Sequence, residues 1–549
     1  MNHKFLKITL FCICIFSLSL SFAQNGILWK KNFGGVQNDY FTAVTEVSDG
    51  FVAVGYSDFA SFGTGNWEDV TGKGNLDAII VKYDNEGNIL WRKNFGGESA
   101  DAFEAVAITS NGIVAVGYAD FSSFGTGDLT ELERKGLQDA IIVLFDLEGN
   151  IIWKHNLGGN ENSYSKFTSV SSNDDGIFTV GYADGFGEGD WEEVTGKGKE
   201  DAMVIKFDLD GNIIWKKNFG GADTDRFLSV SSENDCIIAV GVSAPSSFEN
   251  GNWELDTCKG GNDAIAVKFD FDGNLLWQKN FGGLGTDIFH AVTGLEDGFV
   301  VAGISFPTSF GNGDWETVSV GNGWEDAMIV KFDYDGNIVW KKNFGGDGWD
   351  CFYAVSKIYD ELIAVGGANA FGSGDWDKFW GKGYDDAIMV GFDFQGNVKW
   401  KTNFGGKDTD CFNSVSSIND AIVVVGFSNF DSFNNGNWAN VEGNGWEDAI
   451  IVQYGLGEVG IKEYKELEGI SVYPNPTRGE LRVTSYELQV TSIEVFDVYG
   501  RNVGANLRVC PDLRVCPESR IDISDLTSGV YFVKIYTESG VVTKKVIKQ

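Results

Sequence analysis

Apolar residues along this chain fall in short runs bounded by glycine, asparagine and aspartate, which is a pattern of strands and tight turns rather than helices. Four such runs open the sequence after its first strand: Phe41–Val47, Val52–Ser57, Asp77–Asp84 and Ile89–Phe95, here termed strands A to D. In strand C both alternating sets are apolar, with Ile79, Val81 and Tyr83 on one side and Ala78 and Ile80 on the other. A strand of that kind belongs to a sheet covered on both faces. Strand B uses small residues (Val52, Ala53, Val54, Gly55), whereas strand D carries Leu90 and Trp91. Narrow inner strands and bulky outer ones make a wedge.

The pattern then repeats. The strand-D tryptophan recurs at Trp29, Trp91, Trp153, Trp215, Trp277, Trp340 and Trp400, at spacings of 62, 62, 62, 62, 63 and 60 residues. Each repeat reads W-K-K-N-F-G-G, D-x-F-x-A-V, a V-A-V-G-Y-like run, a long F-G-x-G-D-W loop and D-A-I-I-V-K-F-D-x-D-G-N. Residues 24–457 are built this way. The array starts with a lone strand D (Ile27 to Phe33) and stops after a strand C (Asp448 to Tyr454) that lacks its own D. The first strand is therefore expected to complete the seventh wedge and leave no unpaired edge. The expected fold is all-β, a seven-bladed β-propeller followed by a small antiparallel β-sandwich. On "DAIIVKYD", "NFGG" and "VAVGY", the repeats resemble the bacterial SBBP-type propeller repeat, which implies a fold and no particular chemistry.

The two ends differ from the array. "MNHKFLKITLFCICIFSLSLSFAQ" has a basic start (Lys4, Lys7), an apolar stretch and small residues before a cut, so residues 1–23 are expected to be a signal peptide. No other apolar stretch reaches the roughly 20 residues of a spanning helix. Losing Lys4 and Lys7 takes the formal charge from −37 to −39, which repels phosphate backbones and excludes nucleic acid as an expected partner. Residues 458–469 form a linker, and 470–549 alternate apolar and polar residues between turns, as a small sandwich does.

Within this last stretch stand Tyr473-Pro474-Asn475-Pro476, Asp497-Val-Tyr-Gly500-Arg501, Leu526-Thr-Ser-Gly529-Val-Tyr531 and a basic end at Lys544, Lys545 and Lys548. These marks closely resemble the type A C-terminal sorting domain of the type IX secretion system. The resemblance implies contact with that secretion machinery, passage across a Gram-negative outer membrane, and release or anchoring at the cell surface. One departure is the tandem "LRVCPDLRVCPES" before Ile521, expected to lengthen a loop, with Cys510 and Cys516 as products of the duplication rather than a metal site. Of the other cysteines, Cys12 and Cys14 leave with the signal, and Cys236 and Cys258 are placed too far apart to pair. Cys351 and Cys411 occupy equivalent positions in neighbouring repeats and are expected to be free.

Most chemistry-bearing residues here are repeated, and repetition argues for structure. The turns Asp208-Leu-Asp210-Gly211-Asn212 and Asp333-Tyr-Asp335-Gly336-Asn337 alternate oxygens as a calcium loop does, but a tight hairpin accounts for the same spacing. Gln395 replaces a carboxylate in a third copy, so no metal or cofactor is expected, calcium being the one candidate. Asp77, Asp139, Asp201, Asp263, Asp326, Asp386 and Asp448, ahead of strand C, are expected to bind loop amides. So are Asp39, Asp101, Asp225, Asp287, Asp350 and Asp410 ahead of strand A, with Ser165 in the third repeat. The mature chain has two histidines, His155 and His290, and no nucleophile motif, zinc spacing or phosphate loop, so no catalytic residue is assigned.

The informative residues are those that break the repeat. Two positions before the strand-C aspartate stand Asn75, Leu137, Lys199 and Gly261, then Trp324, Tyr384 and Trp446. With Trp349 and Trp380 these rings gather in one sector of the face formed by the D→A and B→C loops. Trp324, Trp349, Trp380, Tyr384 and Trp446 are the candidate ligand-binding residues, with loop packing as the competing explanation. The regular loop tryptophans Trp67, Trp191, Trp253, Trp315, Trp376 and Trp438 are expected to pin their loops. The favoured function is a non-catalytic, exported surface propeller binding a polysaccharide or protein ligand. A glycoside hydrolase with acidic residues at the propeller mouth and a purely structural surface protein are the alternatives.

Overall fold

Strand C of the first repeat runs from Leu76 to Tyr83, paired along its length with Gly50–Asp58 and, from Ala78 on, with Ile89–Phe95. The computed structural model describes residues 26–455 except 234, 235, 319, 419 and 420. Towards the end it describes 470–474, 476–477, 479–485, 490–497, 506–508, 518–524, 526–527, 529–537 and 540–549. The expected signal peptide, the linker and Cys510 and Cys516 lie outside the described residues. The chain divides into two compact units, one of them Gln24–Leu456 and the other containing Gly457–Gln549.

In the larger unit the strands form seven antiparallel four-stranded sheets, each in the order A-B-C-D. In blade one these are Asp39–Val47, Gly50–Asp58, Leu76–Tyr83 and Ile89–Phe95. Among the described residues there is no α-helix, only short 3-10 turns. The double-sided apolar pattern of strand C has the expected consequence: Ala78, Ile79, Ile80 and Val81 are all fully buried between blades. Each C→D turn places a glycine where L side chains strain, as at Gly87 with φ 78°.

The ring closes with a bond of the kind that joins blade one to blade two and blade three to blade four. Each strand A bulges after its phenylalanine, and the bulged side chain reaches the next blade. Thr42 donates to Phe103 O at 2.8 Å and Thr168 to Phe227 O at 2.8 Å. Between blades seven and one, Asn413 Nδ2 donates to Phe41 O at 2.9 Å. Blade seven consists of Asp410–Ile418, Ala421–Asn429 and Glu447–Gly455, completed by the N-terminal Ile27–Phe33 paired along Glu447–Gly455. Val423, Val425, Ala449 and Ile451 of that blade share one core with Phe41, Phe51, Ile79 and Val81 of blade one.

The strand-D tryptophans occupy the outer gaps. Trp91 donates its indole N–H to Leu147 O in the turn of the following blade at 3.0 Å, and Trp215 does the same to Phe271 O at 3.0 Å. Trp400 instead donates to Glu361 Oε2 at 2.8 Å, because the turn that would receive it is the place where the array begins and ends.

The smaller unit packs one sheet of four strands against another of three. Leu481, Val483, Ile493, Val495, Ile521 and Val533 are among its core. Lys548 is buried and donates to Ser524 O at 2.5 Å, so this member of the basic end fastens the fold. The tandem insertion does more than lengthen a loop: its Leu507 and Arg508 pair as a strand with Ile521 and Arg520, residues 509–517 lying outside those described.

Candidate functional site

The repeated aspartates are occupied by the fold. Asp77 accepts from the backbone amides of Lys73 and Gly74 at 2.8 Å each and from Asn94 at 2.6 Å. Asp448 does the same with Asn444, Gly445 and, across the ring closure, Asn32. In the turns, Asp208 binds the amides of Asp210 and Asn212 and the Asn212 side chain, which leaves the carboxylate engaged by its own hairpin.

Ahead of strand A a second network forms that sequence reasoning described only in part. Asp39 accepts from Gly35 N (2.9 Å), Ser61 Oγ (2.8 Å) and the indole of Trp67 (3.2 Å), which also reaches Ser57 Oγ (3.1 Å). The regular loop tryptophans are indeed pins, and all six are fully buried. Burial outweighs these hydrogen bonds and pushes Asp39 up to about 7. Asp101 and Asp350 also rise to about 7, and Asp410 to about 6, chiefly through burial.

Neither histidine is set up for acid–base work. His155 leans on Trp153 with ring centroids 5.3 Å apart, and His290 meets the edge of Tyr353 at 5.5 Å, burial lowering it to about 4. Cys258, Cys351 and Cys411 are free thiols. Among the described residues no group of three His, Cys, Asp or Glu could hold a metal.

The five off-pattern rings separate into different environments. Trp324, Trp380, Tyr384 and Trp446 are 79, 79, 76 and 69% exposed. Trp349 is half-buried: a Cβ on Gly367 would meet its ring at 3.1 Å, and its indole bonds Glu325. That ring is engaged in packing. Trp324, Tyr384 and Trp446 hold equivalent places in blades five, six and seven. Trp324 N donates to Gly348 O of blade six, and Tyr384 follows Gly383, which lies against Asp408 O of blade seven. Trp380 sits farther out, its carbonyl accepting from Asn403 of strand D. Among the described residues no ring contact joins any two of the five.

Trp446 lines a cleft of about 710 Å³ where blade seven meets blade one. Its other walls include Phe430, Asp408, Asp431, Asn429 and Glu447 of blade seven, with Val36 and Asn38 of blade one. Glu447 is raised above the usual carboxylate range by burial alone. Apart from Trp446, none of these residues was singled out in the sequence. Of them, Glu447 meets the other end of the array directly, bridging to Asn38.

In the smaller unit Tyr531 is buried and donates its hydroxyl to Thr527 O at 2.7 Å, which ties the Leu526–Tyr531 motif into one corner. Residues 471–549 match the family model described as the secretion system C-terminal sorting domain. This part of the chain is a sorting domain. It directs export to the cell surface or the extracellular space and implies contact with the type IX secretion machinery. Among the described residues no helix is long and apolar enough to cross a membrane.

The array ahead of the sorting domain has more distant likenesses. The regulatory protein FlaEY of Caulobacter vibrioides is 22% identical over 418 residues, covering 74% of this chain and 37% of that protein's own length. The WD40 β-propeller domain of Doa1 is 12% identical, with a TM-score of 0.40 over 79% of this chain and 98% of the other. An apocarotenoid oxygenase mutant from Synechocystis is 10% identical, with a TM-score of 0.34 over 72% and 87%. At such scores these likenesses add nothing to the strand pairing, on which the propeller rests.

Proposed function

We propose that this exported propeller is a binding module whose cleft at the seam of blades seven and one takes an extracellular polysaccharide. The supporting observation is the cleft's composition. An exposed indole at Trp446 stands beside carboxylates and amides of Asp408, Asp431, Glu447 and Asn429, a pairing suited to the apolar face and hydroxyl edge of a sugar. Trp324 and Tyr384 extend the same face along the two preceding blades.

A second reading, a glycoside hydrolase, draws on the same carboxylates, since Glu447 with its raised acid could protonate a leaving oxygen while Asp408 or Asp431 supplies the second carboxyl group. The experiment that tests both is a glycan titration of the full chain with product analysis. Replacing Trp324 and Trp446 by alanine should weaken binding by roughly fivefold per ring, about 1 kcal/mol each, with the melting temperature unchanged. Unaltered binding by the double variant would count against the aromatic face. Released oligosaccharides that disappear in Glu447→Gln would favour the enzyme.

A further inference from the structure

The cleft is the place where an otherwise repeated set of partners runs out. The residue just before each strand-C aspartate is acidic in blades three, five, six and seven, and in the first three it has a partner. Glu200 bonds Arg226 at 2.6 Å, Glu325 accepts the Trp349 indole, and Asp385 accepts from Asn369 at 3.0 Å and Thr409 at 3.3 Å. Glu447 is the equivalent in blade seven. Tyr40 of blade one stands where Arg226 stands in blade four, and Asn38 turns its side chain to Asp58. Among the described residues the Glu447 carboxylate is left with no bond or ion pair.

A second break lies beside it. The oxygen of Asn369 in blade six accepts from Trp349 N at 2.8 Å, and that of Asp184 in blade three from Tyr164 N at 2.7 Å. In blade seven the corresponding amide, Thr409 N, bonds Asp408 Oδ1 at 2.8 Å instead. Asn429 Oδ1 is thereby buried without a partner. Among the described residues no lysine or arginine lines the cleft. The ammonium of Lys407 lies 3.7 Å from Asp431, both side chains being exposed, and Asp408 and Glu447 enter no ion pair among the described residues.

The unpartnered oxygens of Glu447 and Asn429 are acceptors, and negative charge gathers in the cleft beside two exposed rings, Trp446 and Phe430. Such a site favours a ligand that brings hydrogen-bond donors, a positive charge and a flat apolar face together. We infer that the polysaccharide recognised here carries free amines: an amino sugar whose ammonium sits among Glu447, Asp408 and Asn429 while its ring lies on Trp446. Uronate and sulfate-bearing glycans are repelled by the same carboxylates. A lysine side chain would supply the ammonium but not the hydroxyls or the flat face.

This inference rests on the polysaccharide reading above, and its test separates the two. The full chain is titrated with glucosamine oligomers, their N-acetylated counterparts, uronate oligomers and oligolysine. Glucosamine oligomers should bind about tenfold more tightly than acetylated ones and weaken as salt rises. Glu447→Gln should remove that preference with an unchanged melting temperature, whereas Trp446→Ala should weaken both oligomers. Equal affinity for the two oligomers, or a preference that survives Glu447→Gln, would overturn the cationic ligand. The polysaccharide reading would then stand so long as Trp446→Ala still weakens binding. Oligolysine binding as tightly as glucosamine oligomers would overturn the sugar in favour of a basic protein. Binding of none of the four would overturn both.

Discussion

The indole N–H of Trp67 reaches the carboxylate of Asp39 at 3.2 Å and so joins the far end of a long loop to the start of the innermost strand. Blades two and three each lack one member of this pair. Leu129 replaces the tryptophan in blade two, where Asp101 Oδ1 has no partner, and Ser165 replaces the aspartate in blade three, where Trp191 Nε1 has none.

These two exceptions allow the hydrogen bond to be weighed apart from the ring. Trp67→Phe and Trp191→Phe remove similar buried area, but only the first breaks hydrogen bonds, those to Asp39 and Ser57, and Ser57 still bonds the Asp39 carboxylate. The first should be the more destabilising by about 1 kcal/mol, the usual net worth of a hydrogen bond. Chemical denaturation of both variants is the check, and equal losses would show that the bond adds nothing.

Stability should fall as pH rises from about 4 to 7. Asp39, Asp101 and Asp350 are raised to about 7 in the fold, so the folded chain holds protons there that the unfolded chain has released. Their contribution is complete below the unfolded carboxylate range and is lost as pH passes the folded value. Asp101→Asn should flatten the melting temperature profile across that window. A profile as steep as that of the parent would remove Asp101 from the account.

Deleting Asn25 to Phe33 should leave the edge of Glu447–Gly455 unpaired and lower the melting temperature or bring on aggregation. Light scattering and thermal unfolding would show it, and a monomer as stable as the parent would contradict the role of the first strand.

Removing residues 470–549 should leave a folded propeller that no longer reaches the outside of the cell, since the sorting domain has a core of its own. Cell fractionation decides this. Normal amounts of the shortened protein outside would separate export from the tail.

Strand positions were legible because strand C is apolar on both alternating sets, and only a sheet buried on both faces tolerates that. The closing strand was legible because the array lacks at one end what it carries at the other. The engagement of Trp349 was written in the sequence as well. Gly367 stands where other blades carry Tyr56, Tyr118 or Phe427, and a large ring fills the space that a small residue leaves. The cleft was harder to read. Glu447 resembles Glu200 and Glu325 as a letter, and its distinction comes from Asn38 and Tyr40, which lie at the opposite end of the sequence and meet it only when the ring closes.

Gly455 N donates to Gly26 O at 3.0 Å, the same closing bond that Asp84 N makes to Asn88 O at 2.9 Å inside an unbroken hairpin. The propeller therefore begins and ends at what is geometrically an interrupted C→D turn. A circular permutant follows from this. Joining Gly455 to Gly26 through an Asn-Glu-Gly loop like Asn85-Glu86-Gly87, and opening the chain instead within Asp208–Asn212, should preserve the disc. It would also move the exception: Trp400 would gain a backbone carbonyl to bond, and Trp153, which now bonds Leu209 O, would lose its own.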